Sequence, residues 1–304
     1  MTLRADITAT PPLRRVENGK GLLLMGLGMF LFSAVDTMAK FLTGDLHPFQ
    51  IVWARQLGLV AGALVLVLWT SGRVLRTTHP RLQLLRGVVA ACSAALFIFG
   101  VSYVPLADAV AVSFVAPFMV TVLGALVLGE PVGIRRWVAV TLGFLGALIV
   151  IRPGLGAVHP AAFLIVLAAF FFAIRQIISR ALSDTDRTST TIVYTAVVSV
   201  AVLTVPNLFV WQTPTSDQIL ILTAMAVIAA FAEICVIKAL ELAMAVVVAP
   251  MQYTLILWGT FYGFVVFDQL PDLWTWVGAA IIVATGLYTL RREYIVSRER
   301  KRAA

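Results

Sequence analysis

Long apolar runs, separated by short breaks that contain glycine, proline or charged residues, follow one another along almost the whole chain. An apolar helix needs about 20 residues to cross the hydrocarbon core of a bilayer, so each run can form a membrane span. The runs are too long and too continuous for the alternating strands of a transmembrane barrel. The pattern therefore predicts an all-α polytopic membrane protein with ten transmembrane helices, spans 1 to 10, at residues 20–43, 47–70, 82–103, 106–128, 134–151, 159–181, 189–211, 217–241, 245–267 and 272–291.

One part of the chain occurs twice, because the stretch at residues 105–137 is echoed at residues 242–276. The echo predicts two repeats of five spans. Since five is odd, the second repeat enters the membrane from the opposite side, which gives two inverted five-helix repeats. Secondary transporters use this architecture, with the substrate site between the repeats near the bilayer midplane. The expected parts are a cytoplasmic N-terminal tail, two repeats and a basic cytoplasmic C-terminal tail, at residues 1–19, 20–154, 155–291 and 292–304.

Composition and charge agree with a membrane protein. The chain is 61% hydrophobic and 12% charged, whereas soluble domains are about 45–50% apolar and about 25% charged. The net charge of +8 does not indicate a nucleic-acid partner, because the basic residues are scattered near predicted helix ends and form no face interleaved with aromatic residues. Cys92 and Cys235 lie in apolar runs and are expected to pack as small hydrophobes. No disulfide framework, metal site or cofactor is indicated.

The distribution of lysine and arginine predicts the orientation. Eighteen of these residues lie in segments on the side of the membrane that holds the N-terminus, and only Arg152 lies on the other side. By the positive-inside rule, both termini are expected in the cytoplasm of a protein in the bacterial inner membrane. The first basic flank and apolar run could also be a signal peptide with its cleavage site at residues 33–35, but the run continues past Asp36 to Leu42, which favours a membrane span.

Two blocks, YVPLADAVAVSFVAPFMVTVLGALVLGEP within residues 103–154 and AMAVVVAPMQYTLILWGTFYGFVVFDQLP within residues 243–290, carry a family resemblance. The chain resembles the EamA-type branch of the drug/metabolite transporter superfamily. The second block departs from the family pattern at Asp268-Gln269, where Gly-Glu is common, as at Gly129-Glu130. The resemblance implies a carrier of small organic solutes, and many bacterial members look like exporters of amino acids and related metabolites.

Charged and polar residues inside the predicted spans are the first candidate site residues. A charge near the centre of a bilayer costs at least about 2.5–3.5 kcal/mol, so it should face the bundle interior and be paired. Asp36 on span 1 is expected at a depth similar to that of Arg55 on span 2, where the two could form a structural ion pair or contact the substrate. Lys40 lies nearer the surface and could snorkel. The polar stripe on span 1 consists of Ser33, Asp36, Thr37 and Lys40.

A second candidate pair lies in the inner half of the membrane. Arg175 on span 6 and Glu233 on span 8 are expected at comparable depth. Glu233 is also a candidate for a residue that exchanges protons during transport, and a purely structural pair is the alternative. Lys238 lies nearer the cytoplasmic end of span 8, where it is expected to snorkel.

Two prolines mark candidate breaks in the spans. Pro117 and Pro250 lie inside spans 4 and 9, where proline removes a helical hydrogen bond. Breaks at corresponding positions of two halves indicate a transport site, although ordinary kinks are the alternative. Trp53, Phe97 and Tyr103 could form aromatic walls or interface anchors. The polar or amphipathic residues near the prolines that could orient a solute are Ser113, Thr121, Gln252, Tyr253 and Trp258.

Other classes of function fit less well. An integral membrane enzyme lacks support because the three histidines, at positions 47, 79 and 159, fall in predicted loops and no serine nucleophile has a nearby base. A channel would need a continuous polar path, for which the polar residues are too sparse. We expect a secondary transporter that exports amino acids or related metabolites by alternating access. A multidrug or nucleotide- or sugar-type carrier of the same fold is the alternative.

The expected partners are the transported solute and the lipid bilayer. Small residues at Gly-x-x-x-Gly spacing, at residues 58–62 and 259–263, permit close approach of helices. This spacing favours packing within the bundle, and the chain is expected to be a monomer or a weak homodimer.

Overall fold

The computed structural model describes residues 17–69, 72–129, 133–151, 159–182, 185–243 and 248–303. Within these ranges the chain forms helices and no β-strand. The α-helices, numbered α1 to α11, are Asn18–Leu42, Pro48–Trp69, Pro80–Val101, Leu106–Ser113, Ala116–Val127, Ile134–Ile151, Ala162–Leu182, Thr188–Val210, Ser216–Leu242, Thr254–Phe267 and Leu273–Ala303. Two 3₁₀ helices are Arg73–Leu75 and Ala249–Tyr253. The N-terminal tail up to residue 16, Glu130, Arg152 and residues 244–247 lie outside the described ranges.

Seven helical segments are long and apolar enough to cross a membrane. They correspond to predicted spans 1 to 4 and 6 to 8, with α4 and α5 together forming span 4. Spans 5 and 10 appear as shorter apolar helical stretches, Trp137–Ile151 and Leu273–Tyr288. Span 9 is not one continuous α-helix, because a 3₁₀ helix precedes α10, which has 14 residues. The chain is an all-helical, multi-pass membrane protein, and α11 continues through the basic C-terminal segment to Ala303.

The helices pack in a reciprocal pattern between the two halves of the chain. The most extensive contact joins α1 to α9, and the next joins α3 to α7. Helix α2 packs on α8, and α6 packs on α11. The contact of α3 with α8 has a counterpart in the contact of α2 with α9. Because each of these pairs joins a helix of the first half to one of the second, the two halves interlock.

Small residues let some of these helices approach closely. Gly146 of α6 and Gly278 of α11 face each other, and a Cβ atom on Gly146 would lie 2.9 Å from the carbonyl oxygen of Gly278. Gly58 of α2 packs directly on the backbone of Ala226 in α9. The first glycine of the spacing at residues 58–62 therefore serves packing within the bundle.

Left-handed residues follow corresponding helices of the two halves. Gly129 (φ 64°) lies after α5, and Asp268 (φ 53°) lies after α10. The amides of Asp268 and Gln269 donate to the carbonyl oxygens of Phe264 (2.9 Å) and Gly263 (3.0 Å), which closes the end of α10. Aspartate adopts this backbone conformation more readily than most residues with a Cβ atom. The second half therefore keeps the turn although Asp268 stands where the resemblance leads one to expect glycine.

Because the backbone at position 268 has a positive φ, we expect a glycine there to give a more stable protein than an alanine. Asp268→Gly should keep or raise the unfolding temperature of the purified protein in detergent, because glycine has no steric penalty at positive φ. Asp268→Ala should lower stability by about 1 kcal/mol, because alanine pays that penalty without the local hydrogen bonding of aspartate. Differential scanning fluorimetry measures both variants. An alanine variant as stable as the glycine variant would contradict the assignment of this turn.

Candidate functional site

The polar stripe on α1 lies inside the bundle. Ser33, Asp36 and Thr37 have exposed fractions of 1%, 7% and 5%. The Thr37 hydroxyl donates to the carbonyl oxygen of Ser33 (2.7 Å). Asp36 Oδ1 lies 3.4 Å from Nη1 of Arg55 on α2, and the Arg55 guanidinium also lies over the ring of Phe32, 6.0 Å from its centroid. The ion pair expected between spans 1 and 2 is present, and both of its side chains are largely buried within the bundle.

Lys40 is held by backbone groups rather than extended towards the membrane surface. Its Nζ donates to the carbonyl oxygens of Val101 (3.2 Å) and Val104 (2.5 Å), where α3 ends. It also lies 5.4 Å from the ring centroid of Phe267 at the end of α10. A cation is favourable there because the last carbonyl groups of a helix carry partial negative charge. Lys40 therefore joins α1 to α3, in place of the snorkelling position that its sequence location suggested.

Arg86 lies inside the bundle between α3, α7 and α8. Its Nε donates to Ser179 Oγ (2.7 Å), and its Nη1 donates to the carbonyl oxygen of Thr191 (3.4 Å) and to Thr195 Oγ1. Sequence reasoning counted Arg86 among the cytoplasmic flanking residues and missed this position. The available signal was its place inside predicted span 3, directly before an apolar run.

Arg175 and Glu233 lie within electrostatic range of each other. Among the described residues they do not form an ion pair within 4.0 Å. The Arg175 guanidinium lies over the ring of Phe172, 4.6 Å from its centroid, and its Nε is buried without a hydrogen-bond partner. The pairing expected from their depth is therefore a longer-range interaction. The positive charges of Arg55 and Arg86 also interact with that of Arg175, which they repel.

The two prolines stand at the start of new helical segments, so these positions hold the breaks considered from the sequence and not ordinary kinks within a continuous helix. Helix α4 ends at Ser113, and Pro117 lies in the first turn of α5. Pro250 lies in the first turn of the 3₁₀ helix Ala249–Tyr253. The first turn tolerates proline because its missing N–H has no partner within the helix. Phe114 in the first break stacks on Tyr253 in the second, with ring centroids 5.1 Å apart. The two breaks therefore meet.

Several candidate residues near the breaks bind the backbone or pack against aromatic rings. The Ser113 hydroxyl donates to the carbonyl oxygen of Val110 (2.7 Å), and the Thr121 hydroxyl donates to that of Pro117 (3.0 Å). Trp258 packs edge-on against Phe30, with centroids 5.0 Å apart, and its Nε1 is buried without a hydrogen-bond partner.

Gln252 and Tyr253 differ in their surroundings. Gln252 is exposed, whereas Tyr253 is half-buried. The Tyr253 hydroxyl packs against Gly286 of α11 where no Cβ atom would fit. Tyr253 therefore connects the second break to α11 as well as to Phe114.

The candidate aromatic residues do not form one wall. Trp53 donates from Nε1 to Thr204 Oγ1 (2.9 Å) between α2 and α8. Phe97 packs between two apolar core clusters. Tyr103 is exposed at the end of α3 and stacks on His159, with centroids 5.1 Å apart. The structure thus places Tyr103 at one end of the bundle and the other two in helix packing.

Asp186 joins the two halves at one end of the bundle. Its carboxylate accepts hydrogen bonds from Thr77 Oγ1 (2.5 Å), Gln83 Nε2 (2.7 Å) and the amide of Thr78 (3.3 Å). Desolvation alone would raise the pKa of Asp186, but these hydrogen bonds and nearby His79 outweigh it and lower the pKa below its ordinary value. The carboxylate therefore stays ionised near neutral pH. We call these contacts the Asp186 network.

A related set of contacts joins the halves at the opposite end. Gln218 Nε2 donates to Asp45 Oδ2 (3.3 Å). Gln50 and Gln212 bind reciprocally, since Gln50 Nε2 donates to the carbonyl oxygen of Gln212 (2.8 Å) and the amide of Gln212 donates to Gln50 Oε1 (3.1 Å). We call these contacts the Asp45 network. Sequence reasoning missed both networks, although each aspartate follows the first span of its predicted repeat.

A family model described as the EamA-like transporter family matches the chain twice, at residues 19–152 and 159–291. The chain belongs to this family. Membership indicates a transporter of small molecules, and it confirms the resemblance carried by the two repeated blocks.

Several curated relatives cover nearly all of this EamA-family chain. An S-adenosylmethionine uptake transporter of Rickettsia prowazekii is 26% identical over 89% of this chain and 94% of its own length. A riboflavin transporter of Vibrio cholerae is 30% identical over 94% and 97%. A pseudopaline exporter of Pseudomonas aeruginosa is 27% identical over 86% and 93%. One solved crystal structure has a TM-score of 0.60 at 16% identity, covers 90% of this chain and 98% of its own, and supports the same fold.

We expect the Asp36–Arg55 pair to behave as a coupled unit in this EamA-family protein. Arg55→Gln alone leaves a buried carboxylate without its counter-ion and should cost about 3–5 kcal/mol. The double variant Asp36→Asn/Arg55→Gln should recover most of that loss, because it removes both charges. Unfolding of the two single variants and the double variant in detergent measures the coupling.

The outcome that contradicts this expectation is additivity, in which the double variant is as unstable as the sum of the single variants. A folded double variant also separates the two roles left open for the pair. Full transport by that variant assigns a structural role, and lost transport assigns contact with the solute.

Proposed function

We propose that this protein is a secondary transporter that exports amino acids or related metabolites across the bacterial inner membrane by alternating access. The observation that carries the proposal is the contact between the two helix breaks, made by Phe114 and Tyr253. Secondary transporters commonly build their sites from discontinuous helices that meet at the interface of two repeats, where unwound backbone groups can bind solute.

Two inverted five-helix repeats, residues 20–154 and 155–291, account for the organisation of the chain. The family model matches each half separately. Five spans per half result when α4 and α5 form span 4 and the 3₁₀ helix Ala249–Tyr253 with α10 forms span 9. The reciprocal packing of α1 with α9 and of α7 with α3 is what exchange of first and third spans between two such repeats would produce.

The cytoplasmic location of both termini rests on the positive-inside pattern. Contacts between connecting segments agree with the part of this topology that says which connections share a side of the membrane. The Asp186 network joins two connections that this topology places in the cytoplasm. The Asp45 network, and the stacking of Tyr103 on His159, join connections that it places on the other side.

The names of the relatives favour a small organic cargo. They include S-adenosylmethionine, which contains an amino-acid group, and they cover both uptake and export. Amino acids and related metabolites fit the charged residues inside the helices, since Asp36, Arg175 and Glu233 offer both signs of charge to a zwitterion. We propose export as the direction, because the family resemblance implies that many bacterial members are exporters.

Alternating access requires that the ends of the bundle open in turn. The Asp186 network closes the end proposed to be cytoplasmic, and the Asp45 network closes the opposite end. Each network links the first half of the chain to the second. Rocking of one half against the other would therefore break one network while the other remains closed.

The test is transport of radiolabelled amino acids by purified protein in proteoliposomes, with and without an imposed pH gradient. We expect saturable flux of one or more amino acids. Flux that increases with the gradient would assign proton coupling, for which Asp36 and Glu233 are the candidates. Absence of flux for every amino acid with folded protein would exclude this cargo and favour a drug or nucleotide- or sugar-type solute.

Variants of span 9 test, in the same transport assay, whether this span contributes to the solute-binding site. Tyr253→Ala removes the contact between the breaks and Gln252→Ala removes a polar group beside it, so both should reduce flux without loss of folded protein. Phe209→Ala, at an exposed position of α8, is the matched control and should transport normally. Unchanged flux in both span 9 variants would remove this span from the site.

Cross-linking tests the two networks. In a background with Cys92 and Cys235 replaced by alanine, the pairs Thr77→Cys/Asp186→Cys and Gln50→Cys/Gln212→Cys can be joined by a short, reducible bifunctional thiol reagent. We expect either cross-link to stop transport and reduction to restore it, because both ends have to open in each cycle. Normal flux through fully cross-linked protein would show that the closed end does not need to open.

A further inference from the structure

The charges in the inner half of the bundle do not cancel. Arg86 and Arg175 both interact electrostatically with Glu233. Among the described residues, neither arginine forms an ion pair with it within 4.0 Å. The charge of Arg55 is matched by Asp36. Among the described residues, Arg86 and Arg175 therefore share the carboxylate of Glu233, and neither has an anion at ion-pair distance.

Arg175 has hydrogen-bonding capacity that the protein leaves unused. Its Nε is buried without a partner, and one face of its guanidinium is covered by Phe172, 4.6 Å away. A buried cation without an anion is strongly unfavourable. Ionisable residues within membrane spans are functional candidates for this reason, because the missing partner can be the transported solute.

Arg86 is positioned beside this region by neutral groups. Ser179 Oγ, Thr195 Oγ1 and the carbonyl oxygen of Thr191 accept its hydrogen bonds. The Ser179 hydroxyl in turn donates to the carbonyl oxygen of Arg175 (2.7 Å). These contacts fix the direction of the Arg86 guanidinium, but because the partners are neutral they do not neutralise its positive charge.

The first helices of the two halves carry charges of opposite sign at similar distances from their ends. Asp36 lies six residues before the end of α1, and Arg175 lies seven residues before the end of α7, the first helix of the second half. Near the end of its first helix, the first half therefore has an acid with its own basic partner. At the corresponding position the second half has a base without an acidic partner at ion-pair distance among the described residues.

We propose that Arg175, assisted by Arg86, binds a carboxylate of the transported solute. The proposal deepens the proposed transport function, since it assigns the chemical group that the transporter recognises. A planar guanidinium fork matches a carboxylate in geometry and binds it through charge-assisted hydrogen bonds. Because Arg86 and Arg175 already share Glu233, the site suits a carboxylate better than a phosphate, which carries a charge near −2 at neutral pH.

Acetate, a small carboxylate, tests the site without knowledge of the cargo. Sodium chloride is replaced by sodium acetate at constant ionic strength, and the unfolding temperature of the full-length protein in detergent is measured. We expect a saturable rise with acetate and none with the neutral analogue acetamide. Arg175→Gln should weaken the apparent affinity for acetate at least about tenfold, the loss expected for a hydrogen bond between charged groups.

Two further variants complete the experiment. Arg175→Lys keeps the charge without the fork and should retain part of the acetate response, which also covers the case that the glutamine variant fails to fold. Arg291→Gln, at an exposed position of α11, should respond like the wild type. An equal acetate response in wild type and both Arg175 variants, or no response in the wild type, overturns the proposal. So does a lower unfolding temperature of Arg175→Gln with an unchanged acetate response.

A transport measurement separates this inference from the proposed function. Acetate binding that depends on Arg175, in a protein that moves no amino acid, would exclude the amino-acid cargo and keep the carboxylate site. Flux of an amino acid matched by equal flux of its methyl ester would exclude the carboxylate site and keep the transport function.

Discussion

A charge inside a membrane-spanning bundle has no bulk water to stabilise it, and the arrangement of the helices depends on how each such charge is accommodated. Asp36 and Arg55 join α1 to α2 by neutralising each other, and Lys40 joins α1 to α3 by binding the backbone where α3 ends. Arg86 is satisfied by hydroxyl and carbonyl oxygens of α7 and α8. Arg175 is the exception among these charged residues, because its Nε is buried without a hydrogen-bond partner.

The position of a residue along a span was predictable from the sequence, whereas the direction of its side chain was not. Depth alone brought Asp36 and Arg55 together correctly, because both lie near the same end of adjacent spans. The same reasoning put Arg175 beside Glu233 at ion-pair distance, which the packing of Arg175 on Phe172 does not produce. Arg86 was assigned to a flank because a cation near a helix end usually reaches water, but at this position α7 and α8 surround it.

The breaks in the helices show a similar limit. Pro117 and Pro250 correctly marked irregular backbone, since proline cannot donate a helical hydrogen bond. Whether a proline kinks a helix or begins a new one depends on the residues before it, and here Phe114 packs against Tyr253 across the interface. Long-range contacts of this kind leave no local pattern. The echo in the sequence, by contrast, indicated two related halves, which the double match to the family model supports.

The two networks at the ends of the bundle pair the same two residue types, but the half that supplies each type differs between the ends. At one end an aspartate of the second half meets a glutamine of the first, Asp186 with Gln83, and at the other end an aspartate of the first half meets a glutamine of the second, Asp45 with Gln218. A reciprocal exchange of this kind is the mark of an isologous contact in a two-fold dimer. A single five-helix chain carrying one such aspartate and one such glutamine would close both ends of an antiparallel homodimer with one pair of residues. After fusion of two copies, substitutions could change the strength of the network at one end without changing the network at the other.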